Sequence, residues 1–414
     1  MRDTEIFAAI LGISAPWCVR QVQFKSGEGR IDIDVCYDSN ASVTCPTCGK
    51  AVTRHDHRTR TWRHLDTCQF ETHIVAQVPR PRCPEHGVLT MQVPWAEGSS
   101  RFTLLFEVVT IEWLKVANIL AVSKRMGLSW DETDGIMQRA VKRGMARRTP
   151  YLPSAIAVDE TSFQKRHEYV TLVHDPRSPK KTVLHVADGR GKEALKGFLM
   201  GFSVEARGQV KLISMDMHEP YIAATKEALP DGAKKIAFDK FHVAMHLGTA
   251  VNKVRREEHA RLRKDGDERL KGTRYLWLRN PAQSMSDAQW SGFEALRTST
   301  LKTARAWSIK EAAMEIWDSA PRDDLQTQWK KWYGWAIRSK LDPIRDVART
   351  IRRHLDGIIL AAKERITNAS AEGINSVVQM LKHTAHGFRN RDRFRNAIYF
   401  HLGGLDLYPD GIRA

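Results

Sequence analysis

Three short apolar runs decide the fold of this chain: Ala155-Ile156-Ala157-Val158-Asp159, Leu212-Ile213-Ser214-Met215-Asp216 and Ile236-Ala237-Phe238-Asp239. Runs of this length that are bounded by polar residues predict buried strands. Each run ends in an aspartate. A carboxylate at the carboxyl end of a buried strand lies at the rim of the sheet, where open α/β sheets place their chemistry.

The elements between these runs predict how the strands are arranged. Strand candidates at 168–174 and 181–187 follow the first run, and helical segments at 191–202 and 220–229 follow. This order is that of a ribonuclease-H-like domain, in which the fourth strand lies beside the first. Asp159 and Asp216 would then be about 4.8 Å apart across neighbouring strands, close enough to share a metal ion.

Composition favours a nucleic-acid partner. The chain has 414 residues, which predicts roughly two to four domains, and its formal net charge is +17. A basic excess of this size is typical of proteins that bind polyanions, although some basic enzymes have no such partner. There is no run of 18 apolar residues and no cationic leader before the apolar run at 6–15, so we expect a cytoplasmic protein without a membrane span.

A zinc site is predicted from two close pairs of ligands, Cys45-Pro46-Thr47-Cys48 and Cys83-Pro84-Glu85-His86. Two such pairs on separate turns can complete a tetrahedron around one zinc ion, whereas the alternative is a pair of reduced, unliganded cysteines. The gap predicts a hairpin at about 54–78. It also contains the three histidines that could replace His86, which are His55, His57 and His64.

Residues 102–147 predict a helix-turn-helix. Gly127 interrupts a helical apolar pattern, and Ser129 and Glu132 form a capping box at the start of the next helix. In this motif the second helix enters the major groove of DNA. Its exposed face would present Thr133, Gln138, Lys142 and Arg143, unless the segment is an ordinary helical hairpin.

The stretch 243–367 predicts a long helical insertion. Seven of the twelve tryptophans lie between Trp277 and Trp335, and Trp329, Trp332 and Trp335 recur at helical spacing. We expect such a stripe to form a core more often than a platform for stacking bases.

The third acid is Glu372, in the segment Asn368-Ala369-Ser370-Ala371-Glu372-Gly373-Ile374-Asn375. This segment begins a helix whose polar face contains Glu372 and Asn375. A glutamate in the first turn can also serve only the helix dipole. The basic stretch that follows interleaves cations with aromatic residues, which suits a nucleic-acid backbone; its candidate DNA contacts are Lys382, Arg389, Arg391 and Arg393.

Taken in order, these motifs resemble the insertion-sequence transposases of the ISL3 (ISL-three) family. The resemblance covers most of the chain and rests on the two zinc knuckles, the helix-turn-helix, Val158-Asp159-Glu160, Met215-Asp216-Met217, Asp239-Lys240-Phe241-His242, Asn368…Glu372-Gly373-x-Asn375 and Gly387-Phe388-Arg389-Asn390. It implies a DDE catalytic triad formed by Asp159, Asp216 and Glu372. Asp239, His242 and Asn375 are expected to support these acids, and the resemblance matches Cys83 and His86 to the last two zinc ligands.

The predicted architecture is therefore multidomain α+β. It comprises an N-terminal zinc-binding module, a helix-turn-helix and a ribonuclease-H-like α/β catalytic domain interrupted by an all-helical insertion. The expected boundaries are 1–95 with zinc knuckles at about 38–90, 96–150, 151–242, 243–367 and 368–414.

The resemblance implies cleavage and strand transfer of double-stranded DNA. Three carboxylates can hold two Mg²⁺ or Mn²⁺ ions, which stabilise both the entering and the leaving oxygen of an in-line displacement. Transposon ends and target DNA are the expected partners of a homodimer or higher oligomer at the bacterial nucleoid. The alternatives are an inactive, transposase-derived DNA-binding regulator and a ribonuclease-H-like nuclease without strand transfer.

Overall fold

A computed structural model describes residues 2–164, 168–179, 182–278, 286–319, 324–365 and 369–411. The chain divides into two compact units. The first comprises Met1–Thr149 with Tyr399–His401 and Leu405–Ala414, and the second comprises Pro150–Ile398 with Leu402–Gly404.

The first unit begins with helix α1 (Asp3–Ile10) and a six-stranded sheet. Its strands are β1 (Trp17–Lys25), β2 (Arg30–Tyr37), β3 (Val43–Thr44), β4 (Ala51–Thr67), β5 (Phe70–Cys83) and β6 (Gly87–Val88). They lie in the order β1-β2-β5-β4-β3, and β6 pairs with β5. Alternating apolar residues of β2 and β5 pack with Trp17, Trp62 and Trp95, whose rings meet edge to face, and these form the core of the sheet.

The predicted hairpin between the two zinc knuckles is confirmed and is longer than expected. β4 and β5 pair antiparallel over most of their length. The turn between them uses Cys68 and Gln69, which both have positive φ angles of 51° and 71°. Each end of this hairpin leads into one half of the knuckle pair, so the hairpin brings ligands together that are distant in sequence.

The helix-turn-helix follows in the same unit, as α2 (Leu104–Val116), α3 (Ile119–Met126) and α4 (Trp130–Arg147). Gly127 ends α3 with a left-handed φ of 66°, and the capping box of Ser129 and Glu132 begins α4 as predicted. A backbone bridge between Arg63 and Phe102 joins this motif to β4.

The second unit contains a five-stranded sheet in the order β11-β10-β7-β8-β9. Its strands are β7 (Ala155–Gln164), β8 (Glu168–His174), β9 (Val183–Asp188), β10 (Leu212–Met215) and β11 (Ile236–Phe238). β7, β8 and β9 form an antiparallel meander, while β10 and β11 run parallel to β7. The prediction that the fourth strand lies beside the first is therefore confirmed.

Helices cover both faces of this sheet. The connecting helices are α5 (Lys192–Met200), α6 (Val204–Gly208), α7 (Glu219–Ala228) and α8 (Gly232–Lys235). Ile156 and Val158 of β7 pack with Leu195 and Tyr221 on one face. Ala155 packs with Leu212, Ala237 and Ala361 on the opposite face. Because both faces are covered, the strands are continuous apolar runs, and their aspartates follow where the apolar runs end.

Every element described between 240 and 364 is helical, as predicted for the insertion. The helices are α9 (Lys240–Lys264), α10 (Arg274–Leu278), α11 (Asp287–Arg297), α12 (Lys302–Ser319), α13 (Leu325–Ile337), α14 (Asp342–Arg353) and α15 (Leu355–Glu364). Trp329 and Trp332 are buried in the expected core, and the indole of Trp332 donates a hydrogen bond to the carbonyl of Ile309 at 2.8 Å. Trp335 differs, because 41% of it is exposed.

Two helices complete the chain, α16 (Ala369–Thr384) and α17 (Arg391–Leu402). α16 packs along β7 and thereby returns the end of the chain to the first strand of the sheet. Within the described residues, none of the helices combines the length and the apolar character needed to cross a membrane.

Candidate catalytic and metal-binding sites

Three aspartates belong to neighbouring parallel strands: Asp159 lies within β7, which continues past the expected end to Gln164, whereas Asp216 and Asp239 directly follow β10 and β11. Ser214 is in register with both Ala157 of β7 and Ala237 of β11. Asp159, Asp216 and Asp239 come two positions further on, and continuing the alternation of side chains along the strands assigns all three to the same face of the sheet. The backbones of adjacent members of this aspartate row are therefore separated by about one strand spacing, roughly 4.8 Å.

Asp159 has the most constrained position in this row. Its Oδ2 accepts a hydrogen bond from Nδ2 of Asn375 at 2.7 Å, and its Oδ1 accepts one from the backbone amide of Glu160 at 2.7 Å. Burial raises the pKa of Asp159 to about 6, although the amide of Glu160 and the nearby His242 oppose this rise. A buried carboxyl with a raised pKa binds protons at mildly acidic pH and is better compensated by a cation than by water.

Helix α16 is held against β7 by a polar stripe. After the bond from Asn375, Gln379 donates to Thr161 Oγ1 at 3.1 Å, and Lys382 Nζ donates to the carbonyl of Ser162 at 2.6 Å. These donors recur at i, i+4 and i+7, which places them on one helical face. The contacts of Gln379 and Lys382 were not predicted, although the i, i+4, i+7 spacing of these residues in the sequence is a signal for them.

Glu372 lies one turn before Asn375 on the same stripe, about 4.5 Å along the helix axis. It is exposed. Glu372 therefore belongs to the same helical face that contacts Asp159. Within the described residues, however, Asp159, Asp216 and Glu372 do not bring their carboxylate oxygens close enough together to form a metal-sized group. Asn368, which belongs to the same predicted motif, lies outside the described residues.

Asp239 and His242 form the next part of the surroundings. Asp239 is 2% exposed and immediately precedes α9. His242 follows within the first turn of that helix, and its charge lowers the pKa of Asp159. The positions predicted to support the acids therefore lie around Asp159 and Asp216 rather than elsewhere in the unit.

Two buried oxygen atoms among these residues suit a divalent cation. Asp216 Oδ1 and Asn375 Oδ1 are buried, and neither has a hydrogen-bond partner among the described residues. Buried polar atoms are nearly always paired, so such orphaned atoms call for a bound group. Carboxylate and amide oxygens are the ligands that Mg²⁺ and Mn²⁺ prefer. The donor set therefore suits these ions.

The second metal-binding group consists of Cys45, Cys48, Cys83 and His86, whose ligand atoms all lie within 4.8 Å of one another. Cys48 Sγ is 3.9 Å from Cys83 Sγ, and His86 Nδ1 is 3.8 Å from Cys45 Sγ and 3.5 Å from Cys83 Sγ. The edges of a tetrahedron with ordinary Zn–S and Zn–N bonds are about 3.8 Å and 3.6 Å, respectively. The separations therefore fit zinc, and they are much too long for a disulfide.

The local backbone explains how this group forms. Gly49 and Gly87, which directly follow the two pairs of ligands, have φ angles of 70° and 72°, which other residues rarely adopt. The imidazole of His86 lowers the pKa of Cys83 to about 6, which favours the thiolate that zinc binds. Lys50 and Glu85 form an ion pair between the two knuckles.

The structure also distinguishes among the alternative histidines. His64 is buried, and its Nδ1 lies 2.9 Å from Oγ1 of Thr103. His55 lies beside Asp56, and it belongs, like His57, to the outer surface of β4. The zinc group contains His86 and none of these three.

The predicted DNA-facing surface of α4 needs a correction. Thr133 is buried, and its hydroxyl donates to the carbonyl of Ser129 at 3.0 Å. Arg143 is also buried and forms ion pairs with Glu97 and with the buried Glu107. Thr133 and Arg143 are therefore not available to DNA in this conformation, whereas Gln138 and Lys142 are exposed as predicted.

The predicted DNA contacts of the basic C-terminal stretch also differ in how far they are available to DNA. Lys382 is tied to Ser162 on β7, and burial lowers its pKa. Arg391 forms an ion pair with Glu168 at 3.1 Å, and Arg393 is half-buried. Arg389 is exposed next to the turn at His386 and Gly387.

Comparisons with known proteins agree with this geometry. A model of the ISL3 transposase DDE domain matches residues 156–398, a zinc-finger model of the transposases of IS204, IS1001, IS1096 and IS1165 matches residues 41–86, and a model of the ISL3 helix-turn-helix domain matches residues 91–141. The first match includes both sheet-edge aspartates and Glu372, and the second includes all four zinc-group residues.

Curated relatives cover nearly the whole chain. The transposase for insertion sequence element IS1557 of Mycobacterium tuberculosis is 26% identical over 94% of this chain and 93% of its own length. The transposase for IS1001 of Bordetella parapertussis is 26% identical over 91% of this chain and 93% of its own length. With Asp159, Asp216 and the zinc group inside their matching family models, and the helix-turn-helix overlapping its own model, this chain belongs to the ISL3 family of insertion-sequence transposases.

Proposed function

We propose that this protein is an active DDE transposase that binds the terminal inverted repeats of an insertion sequence, cleaves the DNA at these ends and joins them to target DNA. The observation that carries this proposal is the register of Asp159 and Asp216 on adjacent strands, with α16 fixed against Asp159 by Asn375. The strand order supports a ribonuclease-H-like fold, and the helices between 240 and 364 support an insertion within it.

In this proposal Asp159, Asp216 and Glu372 hold two Mg²⁺ or Mn²⁺ ions. When bound, such ions stabilise the charges that develop on the entering and leaving oxygens of an in-line phosphoryl transfer. Asp159 is the central ligand because it is the member of the row that contacts α16, the helix that carries Glu372. Asn375 holds one oxygen of Asp159 in place, and the backbone amide of Glu160 holds the other.

In this arrangement the side chain of Glu372 is held less firmly by its neighbours than those of Asp159 and Asp216. It is exposed on the docked face of α16, so it can approach the ions together with DNA. Asp239 and His242 adjust the charge around the row from the start of α9. No serine, tyrosine or histidine nucleophile is required, because a water molecule attacks first and the freed 3′-hydroxyl attacks second.

We assign DNA recognition to the helix-turn-helix, with Gln138 and Lys142 on the exposed face of α4. Arg389 is an additional phosphate contact near the catalytic sheet. The zinc group stabilises the N-terminal module that precedes this motif. The protein would act as a homodimer or higher oligomer on DNA at the nucleoid of the bacterial cytoplasm.

The test uses purified full-length protein, Mg²⁺ and DNA that contains the inverted repeats flanking the gene. We expect nicking at the repeat ends and joining of a pre-cut end to target DNA. Asp159→Asn, Asp216→Asn and Glu372→Gln should each reduce cleavage at least about 1,000-fold, because each removes charge stabilisation from the transition state, and each should keep near-normal affinity for the ends.

Three results would contradict parts of this assignment. Full cleavage by any one variant would remove that residue from the triad. Cleavage without joining would make the protein a nuclease that lacks strand transfer. Specific binding of the repeats without metal-dependent nicking by the wild type would make it a DNA-binding regulator.

A further inference from the structure

Helix α13 presents an exposed aromatic ring in a strongly basic setting. Trp335 is 41% exposed, whereas Trp329 and Trp332 on the same helix are 1% and 3% exposed. Lys331 and Arg338 lie four residues before it and three residues after it, so all three side chains share one face of α13. The buried residues of the helix lie on another face.

The charge of this face is not neutralised locally. No acidic residue occurs between 325 and 341, and neither Lys331 nor Arg338 forms an ion pair within the parts of the chain that the structure describes. The neighbouring helix α14 is different, because Arg345 pairs with Asp342 at 3.0 Å and Arg349 pairs with Asp346 at 2.7 Å. Cations that have no internal partner are available to bind an anion.

Gly334 contributes to the shape of the same face. A Cβ atom at this position would lie 3.4 Å from Nη2 and 3.5 Å from Nη1 of Arg338. The guanidinium of Arg338 therefore folds back along the helix over Gly334, the residue before Trp335 in the chain. An exposed indole that shares one helical face with two cations forms a surface that matches a base and its adjacent phosphates.

We propose that Lys331, Trp335 and Arg338 bind a DNA strand that contains an unpaired base, which stacks on the indole of Trp335 while the two cations contact the adjacent phosphates. An unpaired base is required because the base faces in an intact duplex are already stacked on one another. This inference rests on the proposed function only in taking DNA as the substrate, since unpaired bases arise where strands are cut and joined. It gives the helical insertion a role in binding DNA.

The experiment measures binding by the full-length protein without added Mg²⁺, so that no strand is cut. The probes are a short single strand, the corresponding duplex, and the same duplex with one unpaired base. A fluorescent analogue takes the place of that unpaired base. Trp335→Ala should weaken binding to the single strand and to the unpaired base by about 5- to 100-fold, with little effect on the intact duplex. Trp335→Phe keeps an aromatic face and should retain most of the affinity and the fluorescence quenching.

The cations are tested by salt dependence. Lys331→Gln and Arg338→Gln should each reduce the slope of log affinity against log salt by about 0.7 to 1. Arg349→Gln is the matched control, because this exposed arginine already pairs with Asp346, and it should leave the slope unchanged. Circular dichroism and thermal unfolding verify that each variant is folded.

Several outcomes would overturn the inference. Equal affinity of wild type and Trp335→Ala for every probe would do so, as would an equal loss for paired and unpaired DNA. A change in self-association caused by Trp335→Ala would instead assign this face to a protein contact. Asp159→Asn should bind the unpaired base like the wild type, so a failure of the catalytic proposal would remain distinguishable.

Discussion

The imidazole of His64 lies at a junction within the first unit. Its Nδ1 is 2.9 Å from the hydroxyl of Thr103, which caps α2 by accepting a hydrogen bond from the amide of Phe106 at 3.3 Å. Burial, together with the neighbouring charge of Arg63, lowers the pKa of His64 to about 4. The neutral imidazole therefore couples the zinc hairpin to the start of the helix-turn-helix.

This environment predicts acid sensitivity. Because the pKa of His64 is lower in the folded chain than its ordinary value of 6.5, its contribution to stability is present above about pH 6.5 and is lost as the pH falls towards 4. The loss can reach at most about 3 kcal/mol. In zinc-saturated protein, the unfolding free energy of the wild type should fall more steeply between these pH values than that of His64→Gln.

His57 provides the control for this titration, because it is exposed on the same strand. His57→Gln should follow the wild-type pH profile. Parallel profiles for wild type and His64→Gln would show that His64 does not titrate as described.

The individual residues that could be predicted from the sequence are those marked by a pattern within a few neighbouring positions. Asp159 and Asp216 follow short, mainly apolar runs, and the ligands of the zinc group stand in two close pairs. The pattern around Arg143 predicts a DNA-facing side chain because the neighbouring sequence contains no sign of its partner. Arg143 is buried against Glu107, which lies 36 residues earlier in the chain.

Among the elements, α4 carries two adjacent cations in opposite environments: Lys142 is exposed and Arg143 is buried. Arg143 donates to Glu107 Oε2 at 3.1 Å and to the carbonyl of Leu407 at 2.6 Å, and Glu107 is itself 1% exposed. Arg139 and Ser100 also bond to this carboxylate. The network fixes α4 to α2, since removing one partner leaves a buried charge less well compensated.

Paired substitutions on α4 separate stability from DNA binding. Arg143→Ala should lower the free energy of unfolding by about 3 kcal/mol, because it uncovers part of the Glu107 charge. Lys142→Ala should change the free energy of unfolding by less than about 0.5 kcal/mol. It should nevertheless weaken binding to duplex DNA and lower the slope of log affinity against log salt by about 1. Chemical denaturation and DNA titration at several salt concentrations measure the two effects.

Each half of this comparison can be contradicted separately. A stable Arg143→Ala protein would show that the buried network is dispensable. Unchanged duplex binding by Lys142→Ala would remove the exposed side of α4 from the DNA interface.

The elements themselves were largely predictable, but their long-range contacts were not. Apolar runs, Gly127 and the capping box located the strands and the helix-turn-helix correctly. The docking of α16 on β7 joins Asn375 to Asp159 across 216 residues. Periodicity reveals which face of a helix is polar, but it does not reveal which distant strand that face will meet.

In the molecule as a whole, the zinc group and the aspartate row lie in different compact units, each with its own sheet and core. The zinc group closes the ends of the β4–β5 hairpin in the first unit. The aspartate row and α16 belong to the second unit, and the helices from 240 to 364 lie between them in sequence. The helices between 240 and 364 are compatible with this site because α15 returns the chain to the sheet: a Cβ on Gly357 would lie only 2.5 Å from the ring of Phe238.

Removal of zinc should therefore act on the first unit and spare the second. We expect one zinc per chain in wild-type protein by elemental analysis, and its loss in Cys83→Ser, because a tetrahedral site needs all four ligands. Chelation should speed hydrogen exchange at residues 43–51 and 83–88 and lower affinity for transposon ends, while amides of β7 keep their protection. Cys68→Ser is the matched control, since Cys68 is exposed in the hairpin turn outside the zinc group, and it should retain full zinc. Undiminished zinc in Cys83→Ser would refute the ligand set, and equally faster exchange in β7 would show that the zinc group stabilises more than its own unit.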